Sequence, residues 1–226
     1  MGYNEEFLKQ IQANTIGLDD VFYFGCTEDC QAKCCFEATQ MIFQPYDVFR
    51  IARHFGQTME TVIKDNLVVY MGTDSKLPIC AMKYKSTGAC RFLRKNKCSL
   101  HGTNAKPWSC IQFPLGRFLE AGSEEYVYFT QPQQCGSREP HTVREWLGDP
   151  MLRAEVDKAS FAFSKAVTEL SMYSRSIKNP KLLEKAQFAI FMATYVAYDT
   201  AKDYTEQLEE NMKHLKSVLP GFKRGK

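Results

Sequence analysis

The chain has 226 residues, 44% of them hydrophobic and 24% charged, with a formal net charge of +3. That length and apolar content bury a full core as one large domain or two smaller ones, so no covalent staple is needed for folding. A charge of +3 is too small to imply a nucleic-acid partner by itself. The longest apolar stretch, residues 186–198, falls short of the ~18 residues a bilayer span requires, which argues for a soluble protein with no membrane partner.

Nine cysteines raise the question of disulfides. A disulfide framework needs a secretory route, yet the opening residues 1–12 contain acidic side chains and no apolar leader segment. An odd number also leaves one thiol over. The cysteines are therefore expected to be reduced and metal-binding, in the cytoplasm.

In chain order, residues 3–14 form a short amphipathic segment with Phe7, Leu8 and Ile11 on one side. Asp19 to Gly25 is a strand by its aromatic and β-branched content, and it runs into Cys26-Thr-Glu-Asp-Cys30-Gln-Ala-Lys-Cys34-Cys35. Thiolates are metal ligands, and soft sulfur selects zinc, copper(I) or iron–sulfur clusters. Four-residue steps on a helical turn would put Cys26, Cys30 and Cys34 on one face and aim Cys35 elsewhere. A single tetrahedral ion would be strained to accept both Cys34 and Cys35, so the pair suggests two neighbouring sites or a polynuclear cluster.

Met41 to Phe43 is a short apolar strand. Pro45 to Phe55 is an amphipathic helix closed by Gly56, and Thr58 caps a second helix that continues to Asn66. Pro78 to Met82 is extended and apolar, with Cys80 at its centre. Cys90, Cys98 and Cys110 then each lie beside Gly, Asn, Pro or Ser, where loops can aim a sulfur. Tyr126 to Thr130 alternates as a strand and delivers Cys135.

From Ser75 to Leu119 there is no Asp or Glu, while Lys76, Lys83, Lys85, Arg91, Arg94, Lys95, Lys97, Lys106 and Arg117 supply nine cations. Such a window can offset the negative charge of a thiolate centre, or it can bind phosphate with Tyr84, Phe92 and Trp108 as stacking platforms. Interleaving of cations with cysteines favours charge compensation, against nucleic acid.

Beyond Cys135 the pattern becomes helical. Thr142 and Glu145 form a capping box, and Asp149-Pro150 starts a long helix with Leu152, Val156, Ala159, Phe163, Val167, Leu170 and Tyr173 as its stripe. Asn179-Pro180 starts another, which Pro220-Gly221 stops. If unbroken, this last helix reaches ~57 Å. A helical hairpin lying on the cysteine domain is the favoured arrangement, with a homodimer through the C-terminal helix as the alternative.

The ordered set Phe24-Gly25-Cys26, Cys30, Cys34-Cys35, Pro45-Tyr46-Asp47-Val48, Leu77-Pro78, Cys90-Arg91-Phe92-Leu93, Lys97-Cys98, Lys106-Pro107-Trp108-Ser109-Cys110, Phe113-Pro114-Leu115 and Cys135-Gly136 resembles the YkgJ-like cysteine-cluster family. That family is described as a zinc- or iron-chelating domain with a CxxCxxCC-type motif, related to the flagellin lysine N-methylases. The resemblance covers about residues 20–140. It implies metal ligands at Cys26, Cys30, Cys34, Cys35, Cys90, Cys98, Cys110 and Cys135. Cys80 falls where the family has an apolar residue, so replacing it is expected to change neither metal content nor stability. His101 stands where a tyrosine is common, and Lys106 and Ile111 replace arginines, which removes the planar fork for an anion.

Eight thiolates equal two closed zinc sites, or one [4Fe–4S] cluster with four ligands left over. The adjacent pair favours the cluster. The expected protein is thus α+β: a cysteine-cluster metal-binding domain over residues 1–140, then a helical extension over 141–226 packing on it. Its expected function is metal binding, structural or electron-transferring, with an unidentified protein or redox partner. No catalytic motif stands out in the sequence, and the alternatives are an enzyme or accessory of methyl or radical chemistry, or a metal chaperone.

Overall fold

A computed structural model describes residue 9 and residues 11–27, 32–36, 41–119, 125–131 and 137–222. Strand β1 is Thr15–Ile16 and β2 is Val21–Gly25; β3, Ile42–Phe43, leads into helices α1, Pro45–Phe55, and α2, Met59–Asn66. Strands β4, Leu67–Met71, and β5, Pro78–Met82, precede the small hairpin of β6, Leu93–Arg94, and β7, Lys97–Cys98. Then come α3, Trp108–Gln112, β8, Leu115–Leu119, β9, Tyr126–Thr130, β10, Ser137–Thr142, and α4, Val143–Leu147. Helices α5, Pro150–Ser176, α6, Pro180–Phe191, and α7, Tyr204–Val218, complete an α+β architecture. The strands form four small antiparallel sheets, ordered β1-β9-β8, β10-β2, β3-β5-β4 and β6-β7.

Local chemistry accounts for most helix ends. Gln44 and Asp47 make a reciprocal capping box at α1, Pro45 holds its first turn, and Gly56 leaves it with φ 60°. Thr58 Oγ1 accepts from Thr61 N at 3.2 Å to start α2. Thr142 and Glu145 cap α4 in the same reciprocal way. Phe22 and Phe24 point inward from β2 and meet the Trp146 ring edge-on, with centroids 5.6 and 5.5 Å away.

One buried ion pair ties α1 to the segment that carries Cys110. Asp47 Oδ1 accepts from Arg50 Nη2 at 2.6 Å and from the Trp108 backbone N at 2.9 Å. Arg50 Nη1 donates to Asn104 O at 2.5 Å. The start of α3 is thereby fixed by a carboxylate on a different helix.

The C-terminal region departs from one uninterrupted last helix. After α6 the chain makes a π-helical turn at Met192–Val196, breaks, and restarts as α7. The break is stabilised from outside: Arg53 Nε donates to Thr200 O at 2.7 Å and its Nη2 to Lys202 O at 2.8 Å. Asn211 Nδ2 donates to both Ala193 O and Ala197 O at 3.0 Å, so the freed carbonyls find partners. Tyr198 stacks on Tyr204 at 5.1 Å, and Tyr204 packs on Phe49 and Tyr46 of α1. Helix α7 folds back against α5, burying Leu208, Met212 and Leu215 within the same chain.

The apolar core runs without interruption from Phe22 through α1, β5 and α5 to Phe222. Strand β10 spans the boundary at residues 140 and 141, and it pairs with β2 near the start of the chain. Among the described residues, no helix is long and apolar enough to cross a membrane.

Candidate metal centre

Of the eight expected ligands, Cys34, Cys35 and Cys90 come together, and Cys98 and Cys110 lie within electrostatic reach of Cys90. Ala32, in the left-handed region at φ 58°, turns the chain into a tight 3-10 turn over Lys33–Cys35. Cys90 N donates to Cys35 O at 2.8 Å, which clamps the loop before β6 onto that turn. The Cys35 thiol interacts with the sulfurs of both Cys34 and Cys90. This corrects the expectation that Cys34 and Cys35 point apart. Helical phase separates adjacent residues, but the 3-10 turn brings these sulfurs together.

Cys98 closes the base of the β6-β7 hairpin opposite Leu93. Cys110 lies in α3 rather than in a loop, because Pro107 starts a helical turn whose first amide is held by Asp47. Cys110 and Cys98 both bear electrostatically on Cys90 or on one another across the centre. Cys110 Sγ also lies 3.5 Å from Met41 Sδ. Nothing in the sequence had marked Met41 beyond its place in an apolar strand. Its thioether is a soft donor that a count of thiols misses.

The remaining cysteines divide. Cys26 is exposed and follows Gly25, which pairs with Ser137, the first described residue after Cys135. Cys30 and Cys135 lie outside the described residues. Cys80 is fully buried in β5, where desolvation raises its thiol to about 12. All seven described cysteines are free thiols. His101 and His54 are exposed, and His141 packs between Phe22 and Trp146.

Charge is distributed unevenly among the sulfurs. The hydrogen bond from Cys35 lowers Cys34 to about 6, with burial opposing and Lys106 assisting. The same thiol lowers Cys90 to about 7, against burial and helped by the Phe92 and Leu93 backbone and by Lys85. Cys35, flanked by two sulfurs that take the charged form more readily, is held far above the usual thiol value. Burial pushes Cys110 up to about 12 and also raises Cys98. The group therefore holds two sulfurs suited to the thiolate form around one that keeps its proton.

Sulfurs of this kind, with a thioether and two lysines near them, fit a soft metal or an iron–sulfur cluster in donor chemistry. Among the described residues, no three His, Cys, Asp or Glu side chains already stand as a coordination set for one ion. In reduced, metal-free protein near neutral pH, iodoacetamide is expected to label Cys34 with a midpoint near its lowered value of about 6, while Cys80 and Cys110 stay protected. Peptide mass spectrometry reads this directly, and Cys110 labelling as fast as Cys34 would contradict it.

The proposed stacking platforms are not available on the surface. Phe92 is 5% and Trp108 3% exposed, and Tyr84 is half-buried among the thiols. Comparisons with models of protein families, with curated proteins and with solved structures find no match to this chain.

Proposed function

We propose that the chain is a metal-binding cysteine-cluster protein of the YkgJ-like type, whose thiolates hold an iron–sulfur cluster or zinc in a cytoplasmic setting. The observation that carries this reading is the convergence of Cys34, Cys35, Cys90, Cys98 and Cys110 from four separate segments on one half-buried region. These five would hold the metal, joined by Cys26, Cys30 and Cys135 on the strength of the resemblance. A bound iron–sulfur cluster supplies one-electron transfer, whereas zinc supplies only cross-linking.

The chain's own residues prepare the site. Cys34 and Cys90 present sulfur near its charged form, and Cys35 must release a proton for metal to enter. Lys85 and Lys106 offset the resulting charge. Cys90 is buried and Cys35, Cys98 and Cys110 are half-buried, while Cys34 is exposed, so the centre would sit at the protein surface with one side in the core.

Elemental analysis and a visible spectrum of anaerobically purified protein test the reading. The expected result is brown protein with iron and sulfide, or colourless protein with about two zinc ions per chain. Folded, reduced protein that takes up neither after reconstitution would overturn it. Rapid transfer of the ion to an apo-acceptor would instead support a metal chaperone, and a bound organic substrate an enzyme.

A further inference from the structure

We infer that the β6-β7 hairpin and the residues bonded to it form a docking surface for an acidic protein, set beside the cysteine centre. The surface rests on its own geometry; only the exchange of electrons across it rests on the metal-centre reading.

Seven of the nine cations of the acid-free window divide into three groups. Arg117 is buried and paired with Asp157. Lys85 and Lys106 supply the leading cationic influence on the thiols. Arg91, Arg94, Lys95 and Lys97 have no carboxylate partner among the described residues. Those that are anchored are anchored by neutral groups. Arg91 Nε and Nη2 donate to Asp65 O at 3.2 and 3.0 Å, and Arg94 Nη1 bonds the carbonyls of Arg91 and Leu93. Lys85 Nζ donates to Leu93 O at 2.5 Å. A carbonyl positions a cation without cancelling its charge.

The hairpin groups these charges at one tight turn. Leu93 pairs with Cys98 and Arg94 with Lys97, so Lys95 and Asn96 alone make the turn. Both are left-handed, at φ 47° and 60°, as a twist-matched two-residue hairpin turn requires. Asn or Gly adopts that conformation at less cost than lysine, yet a lysine occupies the first position. Arg94, Lys95 and Lys97 are exposed, and Cys98 lies next to Lys97 on the same strand. The tip is one residue along the chain from Cys98, whose side chain leaves the face of the strand opposite to that of Lys97.

Two other occupants fit less well. A second copy of this face would bring like charges together. Single-stranded nucleic acid would find charge but no ring on the hairpin itself, whose residues 93–98 are all non-aromatic, and Phe92 and Trp108 are buried. Clustered carboxylates on a protein need only the charge and the fixed spacing.

The test compares poly-L-glutamate with a charge-matched oligothymidylate as probes of the metal-loaded full chain at physiological salt. R94Q/K95Q/K97Q is expected to weaken poly-L-glutamate binding by about ten-fold or more, whereas K158Q/K181Q/K185Q, which removes as much charge from the helices, leaves it unchanged. Equal weakening by both variants would reduce the effect to net charge and overturn the inference. Tighter binding of the oligothymidylate, lost in R94Q/K95Q/K97Q, would overturn it in favour of nucleic acid. Metal content measured on the same preparations separates this result from the metal-centre reading: the binding loss is expected with metal retained, and a loss that appears only when metal is lost overturns it.

Discussion

Asp47→Ala is expected to destabilise the protein by about 3–5 kcal/mol, seen as a lower denaturant midpoint. The carboxylate and its partner Arg50 are both nearly excluded from solvent, with side chains 7% and 6% exposed. Removing Asp47 leaves the guanidinium buried with the Asn104 carbonyl as its one remaining acceptor, and it leaves the Trp108 amide without the oxygen that starts α3. An uncompensated buried charge costs more than the pair itself contributes. Adding Arg50→Leu to Asp47→Ala is therefore expected to recover part of the loss. Recovery stays incomplete because the Trp108 amide still lacks its acceptor. If the single change costs under about 1 kcal/mol, the pair does not hold α3, and the account of how Cys110 is positioned fails with it.

Cys90→Ser is expected to abolish stable metal binding, read as loss of metal on gel filtration. Cys90 is contacted by Cys35 through both its backbone amide and its sulfur, so it links the 3-10 turn to the loop before β6. A serine hydroxyl ionises far above a thiol and is a hard ligand, so it replaces neither property. Cys80→Ala is the contrasting change. It is expected to keep the metal and to cost about 1–2 kcal/mol in lost packing. Sequence alone suggested no effect on stability at this position; the packing loss is expected here because Cys80 is completely buried in the central strand of its sheet. Metal retained in Cys90→Ser, or lost in Cys80→Ala, would reverse the assignment of these thiols.

Most helix starts were legible because their signals are local. Pro45 and Gly56 bracket α1, and Thr58, Thr142, Asp149 and Asn179 each cap the helix that the sequence places after them. Strands β8 and β10 were not legible. Leu115–Leu119 contains Gly and Arg, and Ser137–Thr142 contains Pro and charged residues, so their extended form comes from pairing with β9 and β2. The break after Val196 was hidden for a similar reason. Residues 197–203 hold no Pro or Gly, and the contacts that stop the helix come from Arg53, far away in the chain. Asp203 ahead of Glu206 is the one local trace, since its side chain caps α7.

At the centre, it was the resemblance rather than thiol identity that grouped Cys34, Cys35, Cys90, Cys98 and Cys110 and set Cys80 apart. It was not enough to predict how they face one another. Their mutual geometry depends on the left-handed Ala32 and on the Cys90–Cys35 backbone bond, and neither has a spacing rule. The role of the cations was half legible. Their clustering shows in the sequence, but the division between those that serve the sulfurs and those displayed on the hairpin needed the fold.

The pairing of β10 with β2 bears on any attempt to dissect this gene. Severing the polypeptide after residue 140 would cut through β10 and strip Phe22 and Phe24 of the Trp146 ring that covers them. Each fragment would expose a sticky apolar face. Half-length versions would then aggregate for reasons unrelated to their metal chemistry, and point substitutions in the whole polypeptide are the sounder genetic tool.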